Sequence, residues 1–219
     1  MITFKDIKHN DAINIYIKKA DESLCALGYT EHSFAHVGLV ASRAEYILST
    51  MGYDPHKTEL VKIAAYLHDI GNVVNRREHS QSGAVMAFRI LDKLNMDADD
   101  IATIVTAIGN HDEGEGEAVN EVAAALIIAD KSDVRRSRVR NRDFSTFDIH
   151  DRVNYSVNET SLEINEEKTK ITLRLGIDTE ISPVIDYFEI LLNRMLMCKK
   201  AARALNLEFK LVINNQPII

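Results

Sequence analysis

The sequence is poor in three features that each mark a class of protein: cysteine, long apolar runs and excess positive charge. Only Cys25 and Cys198 are present. Two isolated cysteines exclude a disulfide framework and a cysteine-based metal motif. No stretch approaches the roughly 18 consecutive apolar residues of a membrane helix, and residues 1–16 lack the apolar segment of a signal peptide. We therefore expect a cytoplasmic protein with reduced thiols and no membrane association.

The charge balance is acidic. Lysine and arginine number 26 against 33 aspartates and glutamates, and the net charge is -7. General nucleic-acid binding is therefore disfavoured, because it needs a basic surface along the phosphate backbone. A small anionic ligand still fits if positive charge is concentrated locally. The 219 residues are 46% hydrophobic, which is enough for a substantial core in one domain with an appendage.

Glycine and proline mark probable breaks between apolar patterns of helical spacing, at Gly28, Gly52, Pro55, Gly71 and the region 114–116. From residue 4 to about 140 the pattern predicts one helix after another, including 57–69, 82–94, 98–109 and 118–134. In the helix after Gly28, apolar residues recur at spacings of three and four and form a stripe that must be buried. Its members are Phe34, Val37, Val40, Ala41, Ala44, Ile47 and Leu48.

The pattern changes near residue 150. "SLEI" and "TKITLRL" alternate apolar and polar residues around the charged turn "NEEK", which predicts a hairpin. Residues 207–213 alternate in the same way, and 181–205 form one long helical pattern. The predicted fold is mainly α: a helical bundle over 1–150, then a small α+β appendage over 151–219 made of antiparallel strands and one helix. We expect this tail to be a structural cap or the contact of a homodimer.

Six side chains of metal-binding type occupy marked places on the predicted helices. Each is placed inside an apolar stripe or at a helix end, where a polar group needs a partner. A carboxylate within an apolar run is costly to bury unless it is paired or bound to metal. Four imidazoles and two carboxylates suit two ions of Fe, Mn, Co, Ni or Zn, bridged by the first carboxylate. The six residues are His36, His68, Asp69, His79, His111 and Asp130.

The order and local context of these residues resemble the HD superfamily of metal-dependent phosphohydrolases. The matching segments are "HVGLVA", "LHDIGN", "EHSQSGA", "NHD" and "ADKSD", and they cover roughly residues 30–140. The resemblance implies an all-helical fold. It gives His36, His68, Asp69 and Asp130 the core metal-ligand roles. It makes His79 and His111 the extra ligands of the dinuclear branch, which includes diadenosine tetraphosphate hydrolases.

The sequence also departs from one subgroup of that superfamily. The cyclic-dinucleotide phosphodiesterases carry a GYP signature, which is absent here. Their usual lysine after "HDIG" is replaced by Asn72. We therefore do not expect that activity.

Candidate residues for catalysis and substrate binding flank the ligands. We expect Asp69 to act in catalysis by fixing two metal ions, and Lys131 to contact substrate and take part in catalysis. Arg135 belongs to the basic run "DVRRSRVRNR", whose guanidinium groups suit phosphate recognition. His32 lies one turn before the first ligand. Arg76 lies on the loop after the HD pair, His68 and Asp69, where an anionic substrate could meet it.

Three functional hypotheses fit these residues. The first is a dinuclear phosphohydrolase acting on a small phosphoester or phosphoanhydride, such as a nucleotide or dinucleotide. The second is a di-iron oxygenase on the same ligands, as in myo-inositol oxygenase. The third is a non-catalytic ligand-binding or regulatory module. The intact set of six ligands argues against the third, because such a module has no need to keep six costly polar groups buried.

Overall fold

The computed structural model describes residues 2–114 and 116–219. Within these residues the chain forms nine α-helices and four β-strands. The predicted fold class, a mainly helical chain with a small C-terminal sheet, is confirmed. The elements are α1 (Phe4–Lys8), α2 (Asp11–Ala26), α3 (Phe34–Met51), α4 (Pro55–Leu67), α5 (His79–Lys93), α6 (Ala98–Gly109), α7 (Glu121–Lys131), α8 (Ile149–Ser156), β1 (Val157–Ile164), β2 (Lys170–Ile177), α9 (Val184–Ala204), β3 (Glu208–Ile213) and β4 (Gln216–Pro217).

Side-chain caps set the helix starts. Ser33, Asp54 and Asn120 each accept a hydrogen bond from a backbone N–H of the first turn that follows. These caps satisfy N–H groups that have no partner within the helix. Asn120 explains why α7 begins at Glu121 rather than at the predicted residue 118.

Two boundaries near the HD pair differ from the prediction. Helix α4 ends at Leu67, so His68 caps it and Asp69 precedes a short 3-10 helix, Ile70–Val73. Helix α5 begins at His79 instead of residue 82. His79 is therefore the first residue of a helix, and that helix fixes its backbone.

Helix α7 is the central helix of the bundle. Every residue from Val122 to Ala129 is buried, as expected for a helix that is apolar on all sides. It packs against α3, α4, α6 and α9. Asp130 follows this apolar run directly, in the last turn of the helix.

The sheet has the order β1-β2-β3-β4 and is mixed. β1 and β2 form the predicted antiparallel hairpin, but β3 pairs parallel to β2. The expectation that all these strands are antiparallel is wrong for this pair. The reason lies in the connection: α9 returns the chain to the starting end of the sheet, and such a helical crossover produces a parallel neighbour.

Helix α9 joins the tail to the bundle. It packs against α7 on the bundle side and against β3 on the sheet side. The buried residues of all three elements belong to one hydrophobic cluster. The predicted boundary at residue 150 falls inside α8. Within the described part of the chain, no helix combines the length and apolar character needed to cross a bilayer.

Candidate metal centre

Five segments of the bundle bring the six predicted ligands together. Each residue lies at an end or in the first turn of a helix. His36 is in the first turn of α3, the HD pair follows α4, His79 opens α5, His111 follows α6, and Asp130 is in the last turn of α7. All six are buried or nearly so. The four imidazoles are each at most 1% exposed.

Asp69 lies between two groups of histidines. Its Oδ2 is 3.5 Å from His36 Nε2 and 3.2 Å from His68 Nε2. Its Oδ1 is 3.4 Å from His79 Nε2 and 4.0 Å from His111 Nε2. One carboxylate therefore presents one oxygen to each pair of imidazoles.

Asp130 belongs to the first of these groups. Its Oδ1 is 3.3 Å from His36 Nε2 and 3.6 Å from His68 Nε2. The ligand atoms of these three residues lie within 4.8 Å of one another, as do those of His68, Asp69 and His111. Both sets are compact enough to hold a metal ion.

Hydrogen bonds fix all four histidines in the same tautomer. His68, His79 and His111 each approach a backbone carbonyl oxygen through Nδ1, at 2.7, 3.1 and 2.6 Å. A carbonyl can only accept, so Nδ1 carries a proton and Nε2 is the nitrogen left to bind a metal ion. His36 donates in the same way through Nδ1 to Asp133 Oδ2 at 2.7 Å.

The four Nε2 atoms point into the cluster, and Arg76 Nη1 donates to that of His79 at 3.3 Å. Nε2 of His36 and of His68 is buried and has no hydrogen-bond partner among the residues described. Nε2 of His79 and Nε2 of His111 are 3.1 Å apart, so two acceptors face each other if both rings are neutral. A cation removes both conflicts. The donor set of imidazole nitrogens and carboxylate oxygens is the kind that transition metals prefer.

The electrostatics also favour a cation. Burial alone would lower the pKa of His68, but Asp69 and Asp130 outweigh it and raise that pKa to about 10. The two carboxylates therefore attract positive charge. Burial, together with His68 and Lys131, lowers the pKa of His111 to about 3. His111 is thus a neutral ligand at physiological pH.

A small polar pocket lies directly against the cluster. Lys131 Nζ is 2.8 Å from Asp130 Oδ2 and 3.5 Å from Glu113 Oε1. Burial opposes the Lys131 charge, but these two carboxylates outweigh it and raise the pKa of the ammonium group. The cations that line the pocket are Arg76, Lys131, Arg138 and Arg194.

Three of the four predicted substrate contacts line this pocket: His32, Arg76 and Lys131. The structure places Arg135 elsewhere. Its guanidinium forms a bidentate pair with Asp133, at 2.6 and 3.0 Å. Arg138, three residues further along the same basic run, lines the pocket instead.

Comparison with known proteins agrees with this geometry. The model of one protein family, the HD domain, matches residues 33–138. Residues 33–138 of this chain therefore form an HD domain. The matched segment contains all six clustered ligands.

Two known proteins are similar to longer parts of the chain. An uncharacterized protein of Methanocaldococcus jannaschii, MJ1020, is 27% identical over 210 residues, covering 85% of this chain and 79% of that protein. A crystal structure of a predicted HD superfamily hydrolase from an uncultured Thermotogales bacterium is 24% identical. It covers 58% of this chain and 69% of its own, with a TM-score of 0.46.

Several residues around the HD site escaped the sequence analysis. Asn72, which replaces the lysine of one subgroup, donates through Nδ2 to Asp69 Oδ1 and to its carbonyl oxygen, both at 2.9 Å. Asp133 is fully buried and orients His36. Its presence three residues after Asp130, within "ADKSD", was a usable signal. Arg194 had none, because its place beside the HD site depends on how α9 packs.

Proposed function

We propose that this protein is a metal-dependent phosphohydrolase that uses a dinuclear centre to hydrolyse a small phosphoester or phosphoanhydride, such as a nucleotide. The observation that carries the proposal is the position of Asp69 between two pairs of histidines. A single carboxylate with one oxygen toward each pair is the arrangement expected of a bridging ligand.

The ligands divide into two groups on this proposal. His36, His68 and Asp130 would hold one ion, His79 and His111 the other, and Asp69 would contact both. The donor set suits Fe, Mn, Co, Ni or Zn. Bound metal ions supply a Lewis acid that lowers the pKa of water and stabilises negative charge on phosphoryl oxygens.

The cationic lining supports a phosphorylated substrate. Arg76, Arg138 and Lys131 surround the pocket beside the ligands, and their charges can bind phosphoryl oxygens. The donors of Arg138 are partly used, because it donates to the carbonyl oxygens of Asp133 and Glu31. Lys131 is held by Asp130 and Glu113, so it places a fixed positive charge where negative charge develops during transfer of the phosphoryl group to water.

His32 supplies an uncharged acceptor at the same pocket. Burial and the nearby Arg138 lower its pKa well below the usual value. Its Nδ1 donates to the carbonyl oxygen of Thr30 at 2.7 Å, so Nε2 keeps its lone pair. This nitrogen can accept a hydrogen bond from water or from a substrate hydroxyl.

The test is phosphate release by purified protein loaded with Mn²⁺, Fe²⁺, Co²⁺ or Ni²⁺. The panel contains nucleotides, dinucleotides and simple phosphoesters. Asp69→Asn keeps the side-chain volume but removes the negative charge that both groups of metal ligands share. It should abolish turnover. Asp92→Asn, on the exposed surface of α5, is the matched control and should retain activity.

Two outcomes would overturn the proposal. Failure of every metal and every substrate to yield phosphate is the first. The second is substrate-dependent oxygen uptake by the iron-loaded protein with no phosphate released, which would assign the same ligands to a di-iron oxygenase. The four cations of the pocket favour phosphate chemistry over that alternative.

A further inference from the structure

A second, larger cavity adjoins the small polar pocket beside the metal ligands. It has a volume of about 450 Å³, which is within the range of small-molecule sites. His32, Arg76 and Arg194 line both this cavity and the polar pocket. The two spaces therefore meet at these three residues.

The tail builds one wall of the larger cavity. Helix α8 contributes Asp151 and Asn154, and helix α9 contributes Ile190, Leu191 and Arg194. None of these residues lies within the 33–138 segment that matches the HD domain. The HD domain alone would leave this side of the cavity open.

Arg194 occupies the junction of the two spaces. Its Nε is 2.7 Å from Glu113 Oε1, and the same oxygen is 3.5 Å from Lys131 Nζ. Glu113 thus holds the guanidinium beside the ammonium group. This contact uses one of the five N–H donors of an arginine, whose planar fork matches the geometry of a phosphate group.

Arg76 reaches the junction from the other side. Its Nη1 is 4.0 Å from Asp69 Oδ1 and 3.3 Å from His79 Nε2. The guanidinium carbon lies 5.7 Å from the centre of the Tyr29 ring, so the ring makes a cation–π contact with this group. Two guanidinium groups therefore face the passage from the larger cavity to the metal ligands.

The remainder of the larger cavity is different in charge. Among the residues described, the arginines or lysines that line it are Arg76 and Arg194, both at the junction, where Glu113 pairs with Arg194. The acidic side chains beyond the junction are Asp148 and Asp151. An anionic group is therefore favoured at the junction and disfavoured deeper in the cavity. Hydrogen-bond donors such as hydroxyl or amino groups suit the acidic part.

We propose that Arg194 is a substrate-binding residue contributed by the tail, and that the cavity beneath α8 and α9 holds the organic part of a phosphomonoester. Arg194 and Arg76 bind the phosphoryl oxygens at the junction, with the reacting phosphorus toward Asp69. The substrate class is a single phosphate on an organic group rich in hydrogen-bond donors. This assignment rests on the proposed phosphohydrolase function.

The first experiment measures the affinity of Mn²⁺-loaded protein for inorganic phosphate by isothermal titration calorimetry. Arg194→Gln should weaken phosphate binding by about 10-fold to 100-fold, the usual effect of losing hydrogen bonds to a charged group. Arg194→Lys keeps the positive charge but lacks the planar guanidinium group. Its phosphate affinity should therefore lie between those of Arg194→Gln and the wild type. Arg203→Gln, in the exposed last turn of the same helix, should bind phosphate as the wild type does.

Binding of Mn²⁺ alone separates this role from a structural one. Each variant should bind Mn²⁺ with wild-type stoichiometry, because Arg194 is not among the six ligands. Wild-type phosphate affinity in Arg194→Gln would overturn the assignment, even if the enzyme hydrolyses phosphoesters. Conversely, phosphate binding that depends on Arg194, in a protein that hydrolyses nothing, would uphold the binding site and overturn the proposed function.

Discussion

Gly71→Ala should selectively damage the half of the site that contains His79. Gly71 lies in the 3-10 helix after the HD pair, directly against the start of α5. A Cβ atom there would lie 2.0 Å from the carbonyl oxygen of His79 and 2.5 Å from the amide nitrogen of Gly83. Both atoms are backbone, so relief requires α5 to move away by more than about 1 Å.

That movement exceeds what a metal site tolerates. Ligand distances in such sites hold to within about 0.2 Å, and His79 Nε2 now lies 3.4 Å from Asp69 Oδ1. We expect Gly71→Ala to retain one metal equivalent, on the His36 side, and to lose the other. Overpacking should also cost about 1–3 kcal/mol of unfolding free energy, or roughly 2–4 °C in Tm for each kcal/mol in a chain of this size.

Elemental analysis measures the metal content, and thermal unfolding of the metal-free protein measures the loss of stability, so the two effects are separated. Gly38→Ala is the matched control, because Gly38 lies inside α3, two residues after His36, with nothing within 4 Å of an added Cβ. It should keep both metals and gain up to about 1 kcal/mol, since alanine is the better helix former. Wild-type metal content and Tm in Gly71→Ala would refute the packing argument.

Three further predictions follow from contacts around the ligands. Asp133→Asn should weaken metal binding by about 10-fold to 100-fold in a chelator competition, because Asp133 orients His36 through Nδ1; an unchanged affinity would contradict this role. Metal binding at pH 7.5 should release at least one proton, since the pKa of His68 is raised to about 10, that of His36 is also raised, and each ligand nitrogen must lose its proton. The release should disappear as the pH rises above that value, and calorimetry in buffers of different ionisation enthalpy measures it. A thiol reagent should modify exposed Cys25 and spare Cys198 in the native protein, because burial raises the pKa of the Cys198 thiol to about 12; equal labelling of both would contradict the buried position of Cys198.

The residues that determine local structure could be recognised in the sequence. Apolar spacing of three and four predicted α3 and α9, and alternation predicted the hairpin of β1 and β2, because each pattern reports which side of an element is buried. Asp130 was recognisable as a carboxylate inside an apolar run. The family order of histidines and aspartates then indicated a shared site before any contact was known.

Other features depend on packing between segments distant in the sequence. The parallel pairing of β3 with β2 follows from the path of α9, which the strand pattern does not contain. The tautomers of the histidines are set by carbonyl oxygens and by Asp133, whose positions depend on how the helices end and pack.

Arg194 is the clearest example of a residue whose position depends on packing between distant segments. In the sequence it is one basic residue on a helix of a tail with no recognisable chemistry, and Arg135, next to the ligands, was the more attractive candidate. In the structure Asp133 pairs with Arg135, and α9 carries Arg194 to within 2.7 Å of Glu113. The sequence by itself determined the type of each ligand and the helices that carry them, because these are local properties. Only the tertiary structure decided which cations reach the metal site, because that depends on the distances between elements far apart in the chain.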